Sequence, residues 1–270
     1  MQIGVSTASY FNRLEVEDAV VDIAAHGVTL CEVFLDTFSE YEPAYIDLLT
    51  ERLSPTPLKV YSVHPMGTQF EPQLFSMQSR QRRDAGQMFE KVLLAGKRLG
   101  AKVYVMHGPV GVADPRKLMD VARVSPVLKD LCATAKGYGL QLALENVSWC
   151  LFSRPEIGTA LLERIGPGAL KFTLDVKQAI RSGYTPMDYI DAVGTEFVNL
   201  HLCDAFVQTD AKGDFSLKMP GEGNVDFAGI GRALARCGYA GPAFVEVYSN
   251  MYADVPALYD SLQRMRRAFA

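Results

Sequence analysis

The chain has 270 residues, of which 49% are hydrophobic and 21% are charged. This composition excludes an intrinsically disordered chain, because it supplies enough apolar material for a large core. The 27 Lys+Arg and 31 Asp+Glu residues give a net charge of −4, so we expect no nucleic-acid partner, which would require clustered positive charge.

Short apolar runs rich in β-branched and aromatic residues recur along the chain, and each is followed by a stretch of helical periodicity. Runs of this kind are typical of strands in a parallel sheet that is buried on both faces. Their spacing averages about 34 residues, which is the size of a strand–helix unit. The eight runs cover residues 3–7, 30–35, 58–64, 102–107, 140–147, 170–176, 197–202 and 243–248.

The segments between these runs predict helices, several of which end where a glycine follows. Glycine takes the left-handed conformation past the last helical turn more easily than other residues. Strand and helix alternate eight times without a linker or low-complexity segment, so residues 1–270 are predicted to form one domain, a single (β/α)8 TIM barrel. A doubly wound open sheet is the alternative. The helix-ending glycines are Gly27, Gly100, Gly139 and Gly238.

Two connections are longer than a barrel requires. They cover residues 65–76 and 204–224, and they follow the carboxyl ends of the third and seventh predicted strands. Barrel enzymes carry their active sites on this face, and loops of this length are more often functional than merely connecting.

Six of the predicted strands end in a residue that is unusual for an apolar strand. Three are carboxylates and three are imidazoles, and such groups are costly to bury unless they are paired or bound to a metal. Because each lies at the same end of its strand, they would meet at the mouth of a barrel. A lone histidine is more often part of a core, but the set predicts a site for Mn²⁺, Co²⁺, Mg²⁺ or Zn²⁺. The six are His64, His107, Glu145, Asp175, His201 and Glu246.

The last four predicted strands carry the motifs LALEN (142–146), FTLDV (172–176), NLHLCD (199–204) and FVEVY (244–248). In this order they resemble the xylose-isomerase-like TIM barrel superfamily, which includes sugar isomerases and epimerases, dehydratases and endonuclease-IV-type nucleases. The similarity covers nearly the whole chain. It implies that one divalent cation is held by Glu145, Asp175, His201 and Glu246.

The chain also departs from patterns found in that superfamily. Gln178 stands where many members have a histidine three residues after the strand-six aspartate, and the loop at 214–223 has no histidine. The third zinc site of the nucleases is therefore missing, which together with the acidic charge argues against DNA cleavage. His64 and His107 match two further nuclease ligands, so a second metal ion stays an open alternative.

The predicted cation would polarise the carbonyl of a bound sugar or polyol and stabilise an enediolate. Glu145 and Glu246 would then act as the acid/base pair of a metal-dependent isomerase or epimerase. The same groups also suit a lyase of the inosose-dehydratase kind, or a two-metal hydrolase or phosphodiesterase related to the apurinic-site endonucleases. A non-catalytic sugar-binding barrel is a fourth alternative.

Five residues near the predicted mouth are candidate substrate contacts, although loop packing explains the two aromatic ones about as well and solvation explains the lysine about as well. Trp149 and Phe70 would stack on an apolar sugar face, and Gln178 would bind a hydroxyl. Lys177 would contact a phosphate or carboxylate, and Asp204 would contact the substrate or orient His201. The role of Glu32, which we expect to face the barrel interior, stays open between structure and substrate binding.

The sequence also indicates the cellular compartment and the partners of the protein. No apolar run approaches the roughly 20 residues that cross a bilayer, and the N-terminal residues lack the pattern of a secretory signal. The five cysteines form no Cys-x-x-Cys pair, which indicates reduced thiols. We therefore expect a cytoplasmic protein with a small carbohydrate as partner, and we leave self-association open.

Overall fold

The computed structural model describes residues 1–110, 120–208 and 214–270. Ten strands occur in these ranges: β1 (Ile3–Ser6), β2 (Leu30–Leu35), β3 (Lys59–Pro65), β4 (Val103–Met106), β5 (Gln141–Glu145), β6 (Lys171–Asp175), β7 (Phe197–Leu202), β8 (Asp204–Val207), β9 (Phe215–Lys218) and β10 (Ala243–Val245). Ten helices accompany them: α1 (Val16–Ala25), α2 (Pro43–Leu53), α3 (Glu71–Leu74), α4 (Ser79–Leu99), α5 (Asp120–Gly137), α6 (Pro155–Ile165), α7 (Val176–Arg181), α8 (Pro186–Val193), α9 (Phe227–Arg236) and α10 (Val255–Ala268).

Eight of the strands form a closed parallel barrel in the order β1-β10-β7-β6-β5-β4-β3-β2, which confirms the predicted TIM barrel. Every predicted strand corresponds to one of these eight, with ends that differ by no more than a few residues. Gly100 follows α4 with a φ of +77°, as the helix-ending glycines predicted. Among the described residues, no helix is both long enough and apolar enough to cross a membrane.

The remaining two strands lie in the long connection after β7, where the sequence predicted only a loop. β8 and β9 pair as an antiparallel hairpin in which Asp204 lies opposite Lys218. Residues 209–213 of this predicted loop lie outside the described residues. β9 alternates half-buried with exposed side chains, and β8 has two buried residues followed by two exposed ones. Neither therefore has the continuous burial that is typical of the barrel strands.

Alternation along the strands divides the apolar side chains between two environments. Val103 and Val105 of β4 pack with Ala143 of β5 in a small cluster inside the barrel. The intervening residues Tyr104 and Met106 belong to the large core between the barrel and its helices. Side chains in a strand alternate between its two faces. A residue two positions beyond an interior residue therefore also faces the interior. This repeat carries the polar residues at the strand ends toward the barrel axis.

The segment after β2 holds a buried carboxylate that titrates near neutral pH. Burial raises the pKa of Glu40 to about 7, although the backbone N–H groups of Asp36 and Thr37 donate to its carboxylate. In the unfolded chain the same group loses its proton near its ordinary pKa of 4.5. Folding therefore takes up a proton between these two values, and the stabilisation present below pH 4.5 is lost as the pH rises through 7.

We expect the free energy of unfolding of the wild type, relative to Glu40→Gln, to fall by about 2 kcal/mol between pH 5 and pH 8. Urea denaturation at several pH values measures this difference. Glu51→Gln, at an exposed position of α2, is the matched control and should show a constant difference. Parallel pH curves for the wild type and Glu40→Gln would contradict the prediction.

Candidate metal and substrate site

The six polar residues predicted at strand ends all lie around the carboxyl-end mouth of the barrel. Glu145 follows the interior residue Ala143 by two positions, and His107 follows Val105 in the same way. All six side chains are buried or, for His107, 13% exposed. Strand geometry therefore brings together residues that are up to 182 positions apart in the chain, from His64 to Glu246.

Four of these residues form the first cluster, which is the set that the resemblance implied. One ligand atom from each of Glu145, Asp175, His201 and Glu246 lies within 4.8 Å of all the others. His201 Nδ1 is at the centre of the set, 2.7 Å from Glu246 Oε2, 3.3 Å from Glu145 Oε1 and 3.7 Å from Asp175 Oδ2. Three carboxylates and one imidazole form a donor set that suits a divalent cation.

A second cluster shares Glu145 with the first. The Nε2 atoms of His64 and His107 face each other at 2.9 Å, and they lie 3.6 and 3.3 Å from Glu145 Oε2. Two facing Nε2 atoms carry one hydrogen between them or point their lone pairs at a shared cation. The arrangement can therefore hold a second ion beside the first.

Glu32 lies beside both clusters, with a carboxylate oxygen within 4.8 Å of ligand atoms of His64, His201 and Glu246. It was not among the ligands predicted from the sequence. Its carboxylate accepts hydrogen bonds from Ser6 Oγ at 3.1 Å, Ser62 Oγ at 2.7 Å and Asn199 Nδ2 at 2.9 Å. It also lies 3.1 Å from His201 Nε2. A carboxylate that accepts from one imidazole nitrogen leaves the other available to a metal, so Glu32 directs His201 Nδ1 toward the first cluster.

The charges of the two clusters strongly favour cation binding. Burial raises the pKa of Glu145, but the imidazoles of His107 and His201 outweigh it and hold the pKa well below its ordinary value. Burial acts likewise on Glu246, where His201 and Lys177 lower the pKa to about 2. These carboxylates are therefore ionised at neutral pH, and buried anions of this density require a cationic partner.

Unpartnered acceptor atoms also fit a metal ion. Within the described ranges, Glu145 Oε2 and Glu246 Oε2 are buried and lack a hydrogen bond, although imidazole nitrogens lie 3.3 and 2.7 Å away. Buried carboxylate oxygens without a donor are rare, since leaving one unsatisfied costs about 1–3 kcal/mol. The residues present therefore fit a divalent cation.

Two further residues support the clusters without belonging to them. The Asn146 side chain forms a pair of hydrogen bonds with the backbone of Asp175, with distances of 2.6 and 3.0 Å, and so ties the ends of β5 and β6 together. Glu71 of α3 accepts from the backbone N–H groups of His107 and Gly108 at 2.9 and 3.0 Å. Neither role was predicted from the sequence, because each depends on hydrogen bonds to the backbone of a residue that is distant in the chain.

Trp149 and Phe70, the two predicted stacking residues, differ in their surroundings. Trp149 is 40% exposed at the mouth, and its ring centroid lies 5.7 Å from that of His107. Phe70 is only 3% exposed and packs edge-on against Tyr41 in the core. Stacking on a sugar is therefore compatible with the exposed ring of Trp149, whereas the ring of Phe70 is buried in the core.

The three polar candidates all form hydrogen bonds or ion pairs with other residues of the protein. Gln178 Oε1 accepts from the backbone N–H of Ser148 at 3.2 Å. Asp204 accepts from four backbone N–H groups, including those of Gly221 and Gly223 at 2.9 Å each, so it shapes the glycine turn instead of pointing at His201. Lys177 is buried, and its ammonium pairs with two carboxylates of the first cluster.

The glycines of that turn are required by its shape. Gly221 has a φ of +87°, which favours glycine. A Cβ atom at Gly223 would lie 2.2 Å from the carbonyl oxygen of Ala205 and 2.3 Å from Asp204 Oδ1. Both positions therefore exclude a larger residue without a change in the turn.

Comparison of the sequence with known families gives the same fold as the structure. The chain belongs to the xylose isomerase-like TIM barrel family, whose profile matches residues 20–268. No curated protein sequence matches the chain.

Solved structures of several sugar epimerases share this fold. A D-tagatose 3-epimerase-like protein is 19% identical with a TM-score of 0.80, over 99% of this chain and 97% of its own. The IolI protein, whose structure has a bound zinc atom, is 18% identical with a TM-score of 0.79, over 99% and 96%. The D-psicose 3-epimerase of Clostridium cellulolyticum H10, solved with D-tagatose, is 17% identical with a TM-score of 0.78, over 100% and 99%. Likeness at these identities establishes the fold.

Proposed function

We propose that this protein is a divalent-metal-dependent isomerase or epimerase of a small sugar or related polyol. The observation that carries the proposal is the buried first cluster, in which Glu145, Asp175, His201 and Glu246 bring their ligand atoms within 4.8 Å of one another. The epimerase neighbours and the zinc bound by the IolI protein support the same chemistry.

The cluster has the donors that this chemistry needs. Glu145, Asp175, His201 and Glu246 would hold one divalent ion. When bound, such an ion polarises a substrate carbonyl and stabilises the charge of an enediolate. The proposed ion is one of Mn²⁺, Co²⁺, Mg²⁺ and Zn²⁺, because an oxygen-rich site with one imidazole suits all four.

Glu145 and Glu246 are proposed as the acid/base pair. They end β5 and follow β10, and β6 and β7 separate these two strands in the barrel order. The two carboxylates therefore reach the site from strands that are not neighbours, and they would approach a substrate from different directions. One would remove a carbon-bound proton, and the other would return a proton to the opposite face, which is epimerisation. Proton transfer by a single carboxylate between neighbouring carbons would instead give isomerisation.

Solvent-proton exchange tests this proposal directly. The metal-loaded protein is incubated in D₂O with a panel of ketoses, aldoses and inososes, and products are followed by NMR. We expect deuterium at the carbon next to the carbonyl of one substrate, together with its epimer or isomer. Treatment with a chelator should abolish the exchange, and the matched control Glu163→Gln on the exposed face of α6 should retain it.

Two results would contradict the proposal: failure to bind any divalent ion after reconstitution, or loaded protein that exchanges no carbon-bound proton in the panel. A product with a conjugated carbonyl that absorbs in the near ultraviolet would instead indicate the dehydratase alternative.

The second cluster favours one further candidate, a two-metal hydrolase of phosphodiesters. Its basis is the convergence of His64 Nε2 and His107 Nε2 on Glu145 Oε2. These three residues would hold a second ion, and a pair of ions would stabilise the attacking and leaving oxygens of a phosphodiester. Elemental mass spectrometry and a phosphodiester assay with bis(p-nitrophenyl) phosphate distinguish the candidates. Two zinc ions per chain, one lost in His64→Ala, together with cleavage, would favour the hydrolase. One ion without cleavage would exclude it.

A further inference from the structure

Lys177 is a buried cation inside the candidate metal site. Its Nζ donates to Glu246 Oε1 at 2.8 Å and also to Asp175 Oδ2, and these are the only ion pairs it makes within the described part of the chain. Both partners belong to the four proposed metal ligands. The ammonium therefore lies among the carboxylates that a divalent ion would use.

The two cations cannot both use Asp175 fully. Asp175 is the N-cap of α7, and its Oδ1 accepts from the backbone N–H of Gln178 at 2.9 Å. Oδ2 accepts no backbone hydrogen bond and is the oxygen nearer His201 Nδ1, and Lys177 already donates to it. A divalent ion on the same oxygen would lie within a few ångströms of the ammonium, where like charges in a buried site repel strongly.

We propose that Lys177 and the divalent ion compete for Asp175 and Glu246, and that the ammonium displaced by the ion binds an anionic group of the substrate. This inference rests on the proposed function and narrows its substrate to an anionic carbohydrate, either a sugar acid or a sugar phosphate. In the metal-free protein, Lys177 instead neutralises part of the charge of the cluster.

The surroundings of Lys177 support an anionic substrate. A displaced ammonium that stays buried needs a new anion, because an unpaired buried charge is strongly unfavourable. Lys177 and Arg181 lie four residues apart on α7, and both are close to the ring of Tyr248, with cation-to-centroid distances of 5.9 and 5.2 Å. Arg181 and Tyr248 are exposed, and Arg181 donates to the Tyr248 hydroxyl at 2.8 Å, so a second, solvent-accessible cation lies beside the same ring as Lys177.

Metal affinity tests the competition. Chelator-treated wild type, Lys177→Met and Lys177→Arg are titrated with Zn²⁺ and Mn²⁺ by calorimetry, and their melting temperatures are measured without metal. The control is Lys171→Met at the other end of β6, where Lys171 pairs with Glu196 at 2.6 Å. We expect Lys177→Met to bind metal at least about tenfold more tightly and to melt lower without metal. Lys177→Arg and Lys171→Met should bind metal as the wild type does.

Ligand affinity tests the second part. Trp149 is the only tryptophan of the sequence and lies beside His107, so its emission reports binding at the mouth. D-fructose, D-fructose 6-phosphate and D-glucuronate are titrated into metal-loaded wild type and Lys177→Met. We expect the wild type to prefer one of the two anionic probes, and Lys177→Met to lose at least about tenfold of that affinity while its affinity for D-fructose is unchanged. The preferred probe distinguishes phosphate from carboxylate.

The outcomes separate this inference from the function on which it rests. If no variant binds a divalent ion, the proposed function itself fails. If all variants bind it equally well, or Lys177→Met binds it more weakly, the competition is wrong. The anionic substrate is overturned if neither anionic probe binds better than D-fructose, or if Lys177→Met retains the preference. Should Lys177→Met fail to fold, as judged by circular dichroism, Lys177→Gln is read by the same criteria.

Discussion

Replacing Glu145 or Glu246 with glutamine is expected to lower kcat for the proton-transfer reaction by about 10²–10⁴-fold, the range for loss of a positioned general acid or base. Glutamine keeps the size of the side chain but does not accept a proton. Each variant should also bind the divalent ion more weakly, since each removes one of three carboxylates from the first cluster. Steady-state kinetics at saturating metal and calorimetric metal titration measure the two effects separately.

The double variant shows whether the two carboxylates act together. Residues that serve one proton-transfer sequence are strongly non-additive, so Glu145→Gln/Glu246→Gln should be little slower than the poorer single variant. Glu163→Gln on α6 is the control and should keep wild-type kcat. Wild-type exchange of carbon-bound protons in either single variant would exclude that residue from the acid/base pair.

Glu32→Gln is expected to weaken metal binding by about 10–100-fold, the usual effect of removing the carboxylate that orients a histidine ligand. The substitution removes the negative charge 3.1 Å from His201 Nε2, so the neutral amide holds the orientation and tautomer of His201 less firmly. Loss of one partner of a buried charged network should also lower the free energy of unfolding by about 3–5 kcal/mol. Calorimetry and urea denaturation at pH 7 check both values.

The conservative variant Glu32→Asp distinguishes an effect on the orientation of His201 from a general loss of protein stability. Glu32→Asp keeps the charge, so it should recover more of the metal affinity than of the stability, because the shorter side chain leaves a gap inside the barrel. Glu32→Gln with wild-type metal affinity would show that Glu32 supports the barrel without acting on His201.

Much of the candidate site was predictable from the sequence because a strand has a strict side-chain repeat. Glu145 and Asp175 end predicted strands, and the parallel order carries such ends to one mouth. The third and fourth strands brought His64 and His107 to the same mouth, where their Nε2 atoms face each other at 2.9 Å. Their common proximity to Glu145 was not predictable, because it depends on the register between the strands.

Other features depended on contacts that no local pattern encodes. Glu32 meets Asn199 and His201 across 167 and 169 positions of the chain, so its role became visible only with the barrel closed. Phe70 and Asp204 were predicted at the mouth from their loops, whereas one fills the core and the other accepts the backbone of a glycine turn. A loop position specifies which face a residue is near but not where its side chain points.

The sequence by itself determined the eight strand–helix units, the parallel barrel and the end of the barrel at which the candidate site lies. These follow from hydrophobic periodicity and helix-ending glycines, which act within a few residues. Only the tertiary structure decided that Glu145 belongs to two clusters, that Glu32 lies 3.1 Å from His201, and that the ammonium of Lys177 lies between Asp175 and Glu246. These contacts depend on strand register and on the burial of the barrel interior. An unpaired buried charge is strongly unfavourable, so charged groups that are distant in the chain pair with one another there.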